Sequence, residues 1–550
     1  YRVRSCRDIN GSPVPCAKSN TGRLGDIINS APLFVGKPAF LYPETIEAES
    51  YRAFKNDSAN TSRRQMLYVG ANDGMFHAFD ADTGEEALAY VPAEIYPNLT
   101  QLTARTYAHR YFVDGSPMYA DVYISIPGVT TGKDWRTVLV SGLRKGGRGY
   151  FALDITDPSS FNESNADRLV LWEFTDPDLG YAYSQPSIAR MANGKWAAIF
   201  GSGYNNVSPG DGHGYVYIVF LEDGIDGSWT AGSDFIKLDT GVGDTTTPNG
   251  IGSPAAVDLN GDYVTDFIYA GDQQGNLWRF DVRNPSTANW ATVADSRVKV
   301  FTAKDSANVP QPITTRPQVS DHPLGGQLVH FGTGKYLEAA DNNPTGAQPQ
   351  TFYGIWDKLA PAATATTVNR GDLLTQTLSS EFNASGKIVR TITDNPINWR
   401  IGTVTGTSHL GWLVDLPSPG EKQVTNSVLR KGRVIFTTQI PSDTPCRPGG
   451  EGWFMELDSV NGGRLDDTFD LDDDGQIDGD DRVLVGGVST GVTGTKVSSG
   501  APSDIIIIQG GGTGAGRIEH KLASTNAADL VKASEKADED RVRETWIQHK

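Results

Sequence analysis

Leu67-Tyr-Val-Gly-Ala-Asn-Asp-Gly-Met-Phe-His-Ala-Phe-Asp80 decides how the rest of this chain is read. An apolar run meets a Gly/Asn/Asp turn, and a second apolar run follows and ends in Asp. Gly and Asn accept the positive φ that tight hairpin turns demand. The same grammar returns at Asp266-Phe-Ile-Tyr-Ala-Gly-Asp-Gln-Gln-Gly-Asn-Leu-Trp-Arg-Phe-Asp281. It returns between Thr137 and Asp154, where Gly146, Gly147 and Gly149 make the turn. Longer-looped versions run from Trp196 to Phe220, Leu328 to Trp356 and Val434 to Leu457.

A short element precedes most of these hairpins. It reads Asn29-Ser-Ala-Pro32, Asp114-Gly-Ser-Pro117, Ser184-Gln-Pro186, Gly252-Ser-Pro254 and Thr314-Thr-Arg-Pro317, with weaker copies at Thr425-Asn-Ser427 and Ser499-Gly-Ala-Pro502. Proline can open a strand without removing a needed ladder donor. Seven such units, each with about four strand-sized runs, suit the blades of a β-propeller, for which ~4–8 blades are usual. The expected fold is all-β, an irregular seven-bladed β-propeller over residues 26–517, after a lead-in at 1–25. A set of separate β-sandwiches is the competing architecture, but no Pro/Ser-rich linker divides the units. Residues 518–550 form a tail. From Ala527 onward it is rich in Ala, Glu, Lys and Asp without Gly or Pro, which predicts a helical or partly disordered segment.

Composition agrees. Among 550 residues there are 61 Gly and 30 Pro, scattered rather than periodic, which fits many short strands joined by turns. The 48 Lys+Arg against 66 Asp+Glu leave a net charge of −18, which argues against a nucleic-acid partner or an anionic membrane held by bulk electrostatics. No apolar run approaches the ~20 residues of a spanning helix. Cys6, Cys16 and Cys446 form no CxxC pair, and their pairing stays open.

The strongest chemistry lies in two acidic loops. Calcium takes about six to eight oxygen ligands in flexible geometry, and acids at alternate loop positions supply them. In Asp470-Leu-Asp-Asp-Asp-Gly-Gln-Ile-Asp-Gly-Asp-Asp481, Asp470, Asp472 and Asp474 take positions 1, 3 and 5 of a twelve-residue EF-hand-like loop. Gly475 stands at 6, Gln476 offers its carbonyl at 7, and Asp478 stands at 9. Asp481 replaces the usual Glu at 12, a shorter arm that weakens binding or leaves a position to water. In Asp258-Leu-Asn-Gly-Asp-Tyr-Val-Thr-Asp266, Asp258, Asn260 and Asp262 take positions 1, 3 and 5, Val264 supplies a carbonyl, and Asp266 takes 9. Position 6 is Tyr263 rather than Gly. Carboxylates this close repel one another unless a cation intervenes. Ca2+ is therefore the expected ion; magnesium's rigid octahedral shell suits such loops poorly.

A catalytic constellation is not evident. The eight His are scattered with no HxH or HxxxH spacing, and no Walker loop occurs. Gly510-Gly-Gly-Thr-Gly-Ala-Gly516 lacks the Lys-Ser/Thr of a phosphate loop. No enzymatic activity is expected. Arg370-Gly371-Asp372 spells an integrin-binding tripeptide, common by chance in a long chain.

Gly25-Asp-Ile-Ile-Asn-Ser-Ala-Pro32, the Tyr68 to Asp80 block and the Asp258 to Asp266 nonapeptide together resemble the PilY/PilC family of type IV pilus biogenesis factors and tip-associated adhesins. The resemblance runs over nearly the whole chain, as that family's C-terminal domain. It implies a calcium site that controls pilus extension and retraction, and hence twitching motility, with Asp258, Asn260, Asp262, Val264 and Asp266 as ligands. It implies pilins and minor pilins as partners, a host integrin or other receptor in some members, and a place on the bacterial surface or outer membrane. It also implies a large, often adhesive N-terminal region outside this sequence. The loop from Asp470 to Asp481 rests on spacing alone. Two readings compete: a quinone-cofactor dehydrogenase, suggested by Ala81-Asp-Thr-Gly84, and a secreted calcium-stabilised lectin-like propeller.

Overall fold

The computed structural model describes residues 24–291, 296–365, 367–399, 408–442, 450–466, 468–509, 518–527 and 529–536. Cys6, Cys16, Cys446 and the Gly510–Gly516 run lie outside them. One compact unit gathers the chain to Ile268 with Phe280–Arg297; the other gathers Tyr269–Arg279 with the chain from Val298.

The first sheet is Leu33–Val35, Met66–Gly70, Phe76–Asp80 and Glu86–Tyr90, paired in that order. The hairpin expected at Leu67 to Asp80 is present, with Tyr68 opposite Ala78 and Gly70 opposite Phe76. Met66, Tyr68, Phe76 and Ala78 point inward and are fully buried, which fixes the register, since a one-residue slip would expose them all. The second sheet is Met118–Ser125, Lys133–Gly142, Tyr150–Asp154 and Val170–Phe174. The third is Ser187–Met191, Trp196–Gly201, Tyr215–Phe220 and Phe235–Asp239. The fourth is Ala255–Val257, Phe267–Gly271, Asn276–Asp281 and Arg297–Thr302.

In the second unit the fifth sheet is Gln318–Asp321, Gln327–Gly332, Thr351–Asp357 and Gly411–Asp415, with Leu374–Gln376 added in parallel. The sixth is built on Val428–Arg430, Arg433–Ile440, Glu451–Asp458 and Gly494–Val497, extended by Lys387–Arg390 and Phe382–Ala384. The seventh is Ile506–Gln509, Ile518–Ser524 and Leu530–Lys536. These seven successive sheets are blades, and the fold class is the irregular seven-bladed β-propeller.

Pro32, Pro117, Pro186, Pro254 and Pro317 each stand immediately before the opening strand of a sheet. Their elements also bind one another across sheets. Asn29 donates to Asp114 from its backbone N and from Nδ2, at 3.1 and 2.6 Å. Gln185 N donates to Ser253 Oγ, Arg316 N to Asn426 Oδ1, and Asn426 N to Asp504 Oδ1. The repeated element is thus a polar staple as well as a strand start.

The tail expectation is overturned. Residues 518–536 are not a helical or disordered tail beyond the propeller but two strands of its last sheet, and Leu530–Lys536 lies inside the Ala527–Lys550 stretch. Residues beyond 536 lie outside the described ones. The inward positions of Ile518–Ser524 include Glu519 and Lys521, which are 2% and 1% exposed. Arg430 Nε donates to Glu519 at 2.7 Å, and Lys521 pairs with buried Glu456. Charged residues turned inward hide the apolar alternation by which a half-buried strand is read, and pairing overrides weak strand propensity.

Candidate metal centre

The two acidic loops are the functional candidates, and the first grows from a buried strand end. Asp258 follows Ala255–Val257 and is 6% exposed; Asn260 and Asp262 reach solvent. Its carboxylate gathers the loop: Oδ1 accepts from Gly261 N at 2.7 Å and Oδ2 from Tyr263 N at 2.9 Å. Asn260 Oδ1 accepts from Asp262 N, and Asp262 Oδ1 from Val264 N, both at 2.8 Å. Asp266 closes the loop, its Oδ2 accepting from Leu259 N at 2.8 Å, while its own N donates to Val257 O. Burial raises the Asp266 carboxyl above its usual range, and the negative charges of Asp258 and Asp262 push the same way.

Tyr263, where an EF-hand loop has Gly, sits at φ +67°. Its ring packs edge-on against Tyr42 at 5.6 Å, joining the aromatic cluster of Tyr51, Trp135 and Trp196. Val264–Thr265 then pairs in parallel with Arg190–Met191 of the third sheet. The loop is therefore wedged into the first unit's core at one point and laced to a blade edge at the next.

The loop from Asp470 to Asp481 has the same backbone device. Left-handed residues fall at positions 4 and 6 in both loops: Gly261 and Tyr263 in one, Asp473 at +62° and Gly475 at +83° in the other. Gly475 N donates to Asp470 Oδ2, Asp474 N to Asp472 Oδ1, and Gln476 N to Asp474 Oδ1. Asp481 performs the closing role of Asp266, accepting from Leu471 N at 2.5 Å and Asp478 N at 2.9 Å. Phe469, Leu471 and Val483 anchor both loop ends in one apolar cluster. Burial again raises the closing carboxyl of Asp481, and Asp470 and Asp472 add to it.

Convergence separates the loops. One carboxylate oxygen from each of Asp470, Asp472 and Asp481 lies within 4.8 Å of the others, and among the described residues no second His/Cys/Asp/Glu group meets that distance. The structure does not bring Asp474 and Asp478 into this cluster. Asp474 is taken up by Gln476 N and Nε2, and Asp478 Oδ1 by Asp480 N. Sequence reasoning missed Lys387, whose Nζ donates to Asp470 O at 3.1 Å and to Asp473 Oδ1 at 3.0 Å. It comes from another strand of the sheet assembly, and no local pattern announces it.

Arg370-Gly371-Asp372 is a short 3-10 turn. Both Asp415 oxygens accept from Arg370 Nη2, at 2.7 and 2.6 Å, and Nη1 donates to Lys304 O and Tyr353 OH. Asp372 Oδ2 accepts from Asn369 N. Among the described residues no helix is long and apolar enough to cross a membrane.

Residues 24–388 match the family described as the PilY1 beta-propeller domain, a span that includes Asp258–Asp266 and stops short of Asp470. The chain is 37% identical over 510 residues to "Type IV pilus biogenesis factor PilY1" of Pseudomonas aeruginosa, covering 86% of this chain and 41% of that protein. It is 35% identical over 489 residues to a PilY1 homolog of Xylella fastidiosa, covering 86% of this chain and 31% of that one. The chain thus spans about two fifths or less of the length of these curated relatives. The crystal structure of the Pseudomonas aeruginosa PilY1 C-terminal domain superposes with a TM-score of 0.71 at 32% identity, covering 91% of this chain and 99% of that one.

Proposed function

The chain belongs to the PilY1 β-propeller family, and from that premise we propose that it is a calcium-dependent type IV pilus biogenesis factor at the bacterial cell surface. It works by binding pilins and minor pilins rather than by converting a substrate, and it biases pilus extension against retraction. Attachment to host cells is part of the same role.

The observation that supports this reading is the wedge at Asp258–Asp266. Calcium held by Asp258, Asn260, Asp262, the Val264 carbonyl and Asp266 would cancel the repulsion that adds to burial in raising the Asp266 carboxyl. The ion would then hold Tyr263 against Tyr42 and Val264–Thr265 against the third sheet. Losing the ion frees the acids to repel and the wedge to loosen. A population shift follows because calcium favours one state of the loop. Receptor attachment, in this reading, does not use Arg370-Gly371-Asp372, whose guanidinium is committed to Asp415.

The test uses Asp258→Ala in the full-length protein within its own cells. We expect calcium binding at this loop to be lost and the number of surface pili to fall when retraction is active. Wild-type pilus number in that background would overturn the regulatory role, and unchanged calcium binding would overturn the ligand set.

A further inference from the structure

We propose that Asp470–Asp481 is a second calcium site, and that its ion braces the last sheet of the propeller. The proposal rests on this loop's own geometry and stands whether or not Asp258–Asp266 regulates pili.

Two independent observations carry it. The first is the convergence of one oxygen each from Asp470, Asp472 and Asp481 within 4.8 Å. The second is Asp470 Oδ1. Asp470 is 6% exposed, yet this oxygen is buried with no hydrogen-bond partner among the described residues, while its twin Oδ2 is satisfied by Gly475 N. A buried carboxylate oxygen without a partner is costly, and such atoms in native folds call for an explanation. A divalent cation among the three carboxylates supplies the missing partner. It also offsets the mutual repulsion of three carboxylates held this close. Each carboxylate keeps lone pairs for it despite the backbone hydrogen bonds already made. All-oxygen ligands on a flexible loop select calcium over magnesium.

The bracing follows from what holds position 1. Asp470 N donates to Ser534 O in Leu530–Lys536 at 3.0 Å, and Asp470 O accepts from Lys387 Nζ in Lys387–Arg390. Ala523 and Ala533 of the last sheet pack in the apolar cluster that also holds Phe469 and Leu471. An ion fixing Asp470 therefore fixes the point where the seventh sheet meets the sixth.

Calorimetric titration of the chelator-stripped chain with calcium chloride tests this. Wild type is compared with Asp472→Asn, which alters an exposed ligand and spares the core, and with Asp262→Asn in the other loop. We expect Asp472→Asn to lose one binding event, or to weaken it by about tenfold or more for one lost ligand charge, and Asp262→Asn to keep that event. Unchanged titration of Asp472→Asn would overturn the site, as would loss of all calcium binding in Asp262→Asn. Equal affinity for magnesium chloride would overturn the choice of ion. Backbone amide exchange should slow by about tenfold in 518–536 on adding calcium, in wild type and Asp262→Asn but not in Asp472→Asn. Calcium-insensitive exchange there would overturn the bracing.

Discussion

The two acidic loops share a backbone and differ in what their carboxylates do without an ion. Asp258 spends both oxygens on its own loop, through Gly261 N and Tyr263 N, whereas Asp470 spends one and leaves the other buried and unmatched among the described residues. The first loop is largely pre-organised by hydrogen bonds and by an aromatic wedge. The second has comparable hydrogen bonds of its own, is anchored by apolar residues at its ends and gathers three carboxylates closely. At position 1, protein-supplied partners and an ion are therefore alternative ways to satisfy the same kind of acid, and Asp470, with one partnered oxygen where Asp258 has two, has more need of the ion.

The sharpest way to break this contrast is to truncate position 1 of each loop in calcium-free buffer. Asp258→Ala orphans two backbone donors, so urea unfolding should show a loss of about 2–4 kcal/mol. Asp470→Ala removes an unsatisfied oxygen together with one good hydrogen bond, and should cost about 1 kcal/mol or less. Equal losses would mean that the two loops do not differ in pre-organisation.

Position 6 against position 4 comes next. Tyr263→Gly relieves a left-handed residue worth about 1 kcal/mol but deletes a ring packed on Tyr42, a loss of about 2 kcal/mol or more. Net destabilisation in thermal melts is expected. Asp473→Gly relieves the same kind of strain with only an exposed contact to Lys387 at stake, so it should be neutral or stabilising by up to about 1 kcal/mol. A stabilising Tyr263→Gly would show that the wedge is not a wedge.

The smaller effect is pH. The folded carboxyls of Asp266 and Asp481 lie above their ordinary value of 3.8. In that window the folded state holds protons more tightly than the unfolded one. Their contribution to calcium-free stability is present below 3.8 and is lost as pH rises through the raised values. Calcium needs the charged form, so its affinity should fall as pH drops through the same window. Asp266→Asn and Asp481→Asn should each remove the corresponding part of the stability-versus-pH slope, measured by unfolding across that range. A slope that survives both substitutions would place the proton uptake elsewhere.

Much of this fold is legible in the amino-acid order. The hairpin at Leu67 to Asp80 forms because its turn residues and alternating apolar faces agree, and the Pro-ended elements each precede a strand for a local backbone reason. The loop spacing is equally local, since positions 1, 3 and 5 hydrogen-bond to nearby amides. The seventh sheet is hidden because Glu519 and Lys521 face inward against Arg430 and Glu456, partners far away in sequence. The ion pair of Arg370 is hidden for the same reason: Asp415 is remote in the chain.

Sequence by itself determined the repeat, the strand starts and the two oxygen-rich turns, because each is a contract between neighbours a few residues apart. Only the tertiary structure decided which charges are buried in pairs, that Tyr263 packs against the core, that Lys387 sits on the second loop, and that Asp470 keeps a buried oxygen without a partner among the described residues. Those outcomes depend on groups brought together from distant strands, and no local pattern encodes the distance between them.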